Sequence, residues 1–270
     1  IFGVAGNVSI SKLFMAGIFP GILMGVALII TWWIVARKDD VKISPRVPMR
    51  EKIRVTFDAF WSYLLAITII GGMKMGIFTP TEAAVVAVVY SLFVGLFIYR
   101  EVKFKDLYGI ILAAAKTSSV VMFLVAAALV SAWLIPVANI PAQIVELLSP
   151  FMGNPTLMMV MLMLMVLVVG TALDFAPTVL ILTPVLMPLV KQAGIDPVYF
   201  GVMFIINNAI GLLTPPVGTV LNVVCGVGRI PMHEVIKGVM PFLISQVVVM
   251  GVLIAFPELV MLPLKWMLAR

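Results

Sequence analysis

One cysteine, Cys225, and one histidine, His233, are all the thiol and imidazole that 270 residues contain. A lone thiol excludes an internal disulfide, and the pair leaves no zinc site of the usual ligand types. Charge is scarce as well. Asp, Glu, Lys and Arg together make up 11% of the chain, against about a quarter in a soluble domain. The strand-like alternation of a membrane barrel is missing. So are the GxSxG of a serine elbow and the Walker A loop of a P-loop ATPase. An intramembrane aspartyl protease needs two facing carboxylates, and Asp174 has no evident partner in another apolar segment.

What the chain does have is apolar length. It is 63% hydrophobic, with a mean hydropathy of +1.21. No globule of this size can bury that much apolar surface, so the solvent is a bilayer and the spanning element is the helix. Apolar segments fall at 13–36, 57–77, 79–99, 107–135, 156–190, 198–228 and 239–262. The fold class expected is an all-α polytopic membrane protein. A single span takes about 20 residues. Segment 156–190 is too long for one crossing and too short for two. It suits a re-entrant hairpin with GTALDFAP, 170–177, at its tip. Segment 198–228 carries NNAIGLLTPPVG at 207–218 and suits two half-helices joined by an unwound link.

The net charge of +6 sits in short loops. Seven Lys and Arg lie in 37–56, three in 99–106 and two in 229–238. Placing these loops in the cytoplasm makes the segment count self-consistent and leaves the C-terminus outside. Gly17, Gly21 and Gly25 recur every four residues, a spacing that lets helices approach closely. Pro80, Thr81 and Glu82 read as a helix start with a threonine cap. Lys116, Thr117 and Ser118 form a polar spot from which Lys116 can snorkel.

Irregular backbone at membrane depth is tolerated where protein buries it or where it lines a cavity. Broken transporter helices use freed carbonyls to bind cations. Pro215 and Pro216 break the ladder, Gly211 and Gly218 permit tight turns, Thr214 adds a hydroxyl, and Asn207 and Asn208 add amides. Asp174 is an ionisable group in an otherwise uncharged run, a functional candidate by default that also reads as a helix cap. Gly170 and Thr171 precede it. Two breaks with oxygen-rich tips and no energy-coupling motif point to a secondary transporter.

The stretches AGIFPGILMG (16–25), GIFTPTEAAVVAVVYSL (76–92), LILTPVLMPLVKQAGIDPVYFGV (180–202) and NNAIGLLTPPVG (207–218) resemble the large membrane subunit of the TRAP transporters, the tripartite ATP-independent periplasmic transporters. The likeness runs over nearly the whole chain. It implies an inverted-repeat elevator fold in which each repeat gives one re-entrant hairpin and one discontinuous helix to a moving transport domain. Residues 1–36 would close the first repeat, and 37–56 would be the basic cytoplasmic connection. Residues 57–155 would be second-repeat scaffold and linking helices, 156–238 the transport-domain hairpin and broken helix, and 239–270 the last span and tail. The chain begins at Ile1, so the first hairpin, the first sodium site and the N-terminal half of the transporter are expected upstream.

The resemblance also implies a second sodium site at Gly170, Thr171, Asp174, Gly211, Thr214 and Pro216, with substrate near Asn207, Asn208 and Pro215. Na+ is the expected coupling ion, with no organic cofactor. The expected partners are a periplasmic binding protein and a small four-helix membrane subunit, in a bacterial inner membrane. The cargo would be a carboxylate or sugar acid. A stand-alone sodium/carboxylate carrier is the alternative.

Overall fold

The structure is a computed structural model that describes residues 1–37, 48–138, 146, 151, 153–215 and 218–268. Among the described residues there is no strand. Among these residues six helices are long and apolar enough to cross a membrane, or seven if a bent pair counts as one span. The protein is a multi-pass membrane protein.

The chain divides into two units, Asp40–Val120 and the remainder. The larger unit holds α1 (Phe2–Ala5), α2 (Ile10–Ala36) and six later helices. These are α7 (Pro155–Ala172), α8 (Phe175–Gln192), α9 (Pro197–Leu212), α10 (Thr219–Gly228), α11 (Met232–Ala255) and α12 (Glu258–Leu268). The smaller unit holds α3 (Met49–Asp58), α4 (Phe60–Lys74) and α5 (Pro80–Phe93), with a π-helical turn at Val94–Ile98. Helix α6 (Leu107–Val137) begins in the smaller unit and passes its boundary.

Helix starts follow from a repeated device. Pro occupies the first turn of α5, α7 and α9, where its missing N–H leaves nothing unsatisfied. The residue before it supplies the cap. Asn154 accepts from Thr156 N at 3.0 Å and Leu157 N at 3.2 Å. Asp196 accepts from Val198 N at 2.7 Å and Tyr199 N at 3.1 Å. Thr79 and Glu82 form a reciprocal capping box. The threonine cap of this helix is therefore Thr79 and not Thr81.

Helix α9 is the centre of the larger unit. Phe200, Met203 and Phe204 are fully buried, and α9 packs most extensively on α7. Phe2 of α1 lies 6.1 Å from the Phe200 ring and 5.4 Å from the Phe204 ring, adding aromatic contact to burial. Gln246 of α11 donates across to the Met24 carbonyl of α2 at 3.3 Å, a polar bond between two apolar helices. The outward faces carry Ile, Val, Leu, Phe and Trp, as a lipid-facing surface must. Near the end of α2 the Arg37 guanidinium sits 3.5 Å from the Trp33 ring centroid. That pairing suits a helix end at the membrane interface.

Three expectations are corrected. The last span does not run to 262, because it covers Met232–Ala255 and α12 restarts at Glu258. Pro257 has no N–H to continue the ladder, and Phe256 before it has left the helical region at φ −126° and ψ 75°. The basic connection 37–56 is not wholly a loop, since α3 fills its second half; residues 38–47 lie outside the described ones. Gly17, Gly21 and Gly25 do not pack on a neighbour among the described residues. A Cβ on any of them would meet nothing within 4 Å.

Candidate functional site

The long segment 155–192 breaks where the sequence suggested. Helix α7 ends at Ala172, Leu173 is extended, and Asp174 caps α8 by accepting from Phe175 N at 2.9 Å. Two arms of 18 residues result. The Asp174 backbone carbonyl takes the Thr178 hydroxyl at 2.9 Å. Asp174 is itself exposed, so its carboxylate keeps oxygen capacity beyond the cap. Thr171 is half-buried, and its hydroxyl donates to the Val168 carbonyl at 2.7 Å.

The second break follows α9. Leu213 N bonds the Ile210 carbonyl and Thr214 N bonds the Gly211 carbonyl, the tightened last turn of a helix that Pro215 cannot extend. Thr214 donates its hydroxyl to the Ile210 carbonyl at 2.8 Å. The chain resumes as α10 after Gly218, at φ 42° and ψ 80°, a left-handed conformation that suits glycine. Pro216 lies outside the described residues.

The two breaks meet. A Cβ on Gly211 would come 3.0 Å from the carbonyl carbon of Gly170 and 3.2 Å from its Cα, so the two backbones touch because neither residue has a side chain. One turn earlier on α9, two fully buried amides grip the two arms. Asn207 donates to the Met163 carbonyl of α7. Asn208 donates to the Phe175 carbonyl of α8 at 3.3 Å. Each donor is satisfied and each acceptor is not. The Oδ1 atoms of Asn207 and Asn208 are buried with no hydrogen-bond partner among the described residues. An unmet buried oxygen costs about 1–3 kcal/mol, and these two, on consecutive residues one turn before the break, are open to a donor or a cation. A Cβ on Gly170 would stand 2.8 Å from Asn208 Oδ1.

Gly170, Gly211, Asn207 and Asn208 are thus brought together. Pro215 lines a narrow cleft with Leu213, Ile236, Val239, Met240 and Leu243, on the α11 side of the link. Two buried threonines were not singled out by sequence. Thr178 has its bond to Asp174. Thr183 is fully buried, its Oγ1 has no partner among the described residues, and its methyl lies 3.2 Å from where a Gly6 Cβ would be. Their signal was available, as hydroxyls inside an apolar run. The carbonyls of Met163 and Phe175 had none, because every residue supplies one.

This set is neutral amide, hydroxyl and carbonyl oxygen beside one carboxylate. It offers no nucleophile with an adjacent base. Hard cations prefer oxygen donors of this kind. Among the described residues no group of three or more His, Cys, Asp or Glu could hold a metal ion.

The sequence matches the family described as "Tripartite ATP-independent periplasmic transporter, DctM component" over residues 1–259. It is 50% identical over 266 residues to a 2,3-diketo-L-gulonate TRAP transporter large permease protein of Escherichia coli, a match covering 98% of this chain and 63% of the relative. It is 36% identical over 262 residues to the sialic acid TRAP transporter large permease protein of Vibrio cholerae, covering 97% and 61%. It is 33% identical over 267 residues to the C4-dicarboxylate TRAP transporter large permease protein of Pseudomonas aeruginosa, covering 99% and 62%. The chain therefore spans about three-fifths of the length of these relatives.

Proposed function

Because the chain belongs to the DctM family of tripartite ATP-independent periplasmic transporters, we propose that it forms part of the large membrane subunit of a sodium-coupled importer of an organic acid. The observation that carries the reading is the contact of two helix breaks, with the Asn207 and Asn208 carboxamide oxygens buried and unmet beside it. In this reading Na+ binds where the hairpin tip meets the end of α9. Its ligands are backbone oxygens of Gly170, Gly211 and Pro216 and side-chain oxygens of Thr171, Thr214 and Asp174. The acid binds next to it, against Asn207, Asn208 and Pro215. Carboxylates and sugar acids are the substrate class, since the similar proteins named above are described for diketogulonate, sialic acid and C4-dicarboxylates.

Family membership favours delivery by a periplasmic binding protein over a stand-alone carrier, with a small membrane subunit beside this one. Residues 156–238 act as the moving element and 57–155 as scaffold, with 1–36 ending a first repeat, 37–56 cytoplasmic and 239–270 closing the second. The hairpin is re-entrant and alternating access is of the elevator kind. The membrane is the bacterial inner one and the C-terminus is outside.

Uptake into proteoliposomes of the complete membrane protein tests this. Accumulation of a candidate acid should require both the loaded binding protein and an inward sodium gradient. Uptake at full rate without the binding protein would move the chain to the stand-alone carriers. Uptake indifferent to sodium would remove the ion from the site.

A further inference from the structure

Helix α3 differs in kind from the helices around it. Five of its ten residues are charged, none is buried, and it bends by 48° from α4, the apolar helix that follows. At about 100° per residue, Met49, Ile53 and Phe57 fall within an arc of about 80°. They are 71%, 51% and 72% exposed, so no described residue of the smaller unit covers that face. Arg50 and Lys52 border the arc on either side, with Arg54 one step further round. Glu51 and Asp58 lie opposite it. Cations therefore flank the apolar stripe, and the acids point away.

The bend is held from the far end of the hairpin formed by α4 and α5. The Tyr99 hydroxyl donates to the Asp58 carbonyl at 2.5 Å, and the Tyr90 hydroxyl donates to the Trp61 carbonyl at 2.8 Å. Tyr99 opens the turn that carries Arg100, Lys103 and Lys105, so two basic segments share one end of the unit. Phe57, Phe60 and Tyr63 expose rings around the junction of α3 and α4. Aromatic rings at a span end mark headgroup depth.

We infer that α3 lies in the plane of the membrane and binds the anionic headgroups of the adjoining leaflet, with Met49, Ile53 and Phe57 inserted and Arg50, Lys52 and Arg54 on lipid phosphate. The helix cannot cross the bilayer, because its charges would sit in hydrocarbon at several kcal/mol each. It is bordered by the charge sign that acidic lipids attract. This inference rests on the membrane character of the chain and not on the sodium site, so either can fail alone.

The test uses the complete membrane protein in nanodiscs of phosphatidylcholine with one-third phosphatidylglycerol. Native mass spectrometry reads the ratio of the two lipids retained. The wild type should retain phosphatidylglycerol preferentially, and the preference should fall about fivefold for each cation removed. R50Q, K52Q and R54Q together should bring the ratio close to that of the bulk lipid. If the triple variant is poorly produced, high salt applied to the wild type should erase the preference by screening. A preference unchanged in the variant and in salt overturns the inference. The Phe57→Trp variant supplies a second reading. Added fluorescence quenched by lipid brominated near the headgroup supports insertion. A residue-57 signal that no brominated lipid quenches means that another protein surface covers the helix, and that also overturns it.

Discussion

Asp174 caps a helix and is proposed to serve sodium, and one pair of substitutions separates the two. Its carboxylate caps α8 through Phe175 N, and asparagine caps as well as aspartate does. Asp174→Asn keeps the cap and removes the charge, whereas Asp174→Ala removes both. If the charge serves sodium, both variants should weaken sodium-dependent uptake while expression stays intact. Recovery by asparagine alone would reduce Asp174 to a helix start. Gly211→Ala probes the contact of the two breaks directly. Its methyl would stand 3.0 Å from the Gly170 carbonyl carbon, and overpacking of this kind costs about 1–3 kcal/mol. We expect the half-saturating sodium concentration to rise at least tenfold, read from uptake at graded sodium. The sequence made these residues visible because polar and helix-breaking types stand out in an apolar run. It hid the direction in which the asparagines donate. Backbone carbonyls on other helices decide that, and no residue type announces them.

Between one break and the next, helix starts carry a plain signal, a capping side chain followed by proline, of which the sequence reading used only the one at Pro80. Asn154–Pro155, Asp196–Pro197 and Thr79–Pro80 each open a helix. The two interruptions at 173–174 and 213–218 also fell where expected. The sequence was less legible where apolarity continued through a break, as at Phe256–Pro257, or where helix and charge coexist, as in α3. Hydropathy sees neither a change of direction nor an amphipathic turn of modest apolar content. Arg229 exposes one element to test. It closes α10 in the left-handed conformation at φ 51°, a site that costs a non-glycine residue about 1 kcal/mol. Arg229→Gly should raise the thermal stability of the purified protein and leave the sodium dependence of uptake unchanged. A fall in melting temperature would mean that the Arg229 side chain holds more than the turn.

Taken as a whole, the chain is a membrane protein whose polar chemistry is concentrated at one meeting of helix ends in the larger unit. A bound ion there should stabilise the folded state by mass action, by about 2.7 kcal/mol at one hundred times its dissociation constant. The melting temperature of the complete membrane protein should therefore rise with sodium and not with choline at equal ionic strength. That rise should be lost in Gly211→Ala. Equal curves in both salts would exclude a sodium site of useful affinity. The multi-pass helical class was legible at this scale through the long apolar runs. The substrate was not, because buried amides and carbonyls accept many acids.

The amides of Asn207 and Asn208 sit side by side on one turn of α9, yet they hold opposite arms of the hairpin. Mechanically this is a pin through two leaves. A rotation of α9 by one residue, about 100°, would draw both amides off their carbonyls together. A displacement of α9 therefore bears on both leaves, and not on one arm alone.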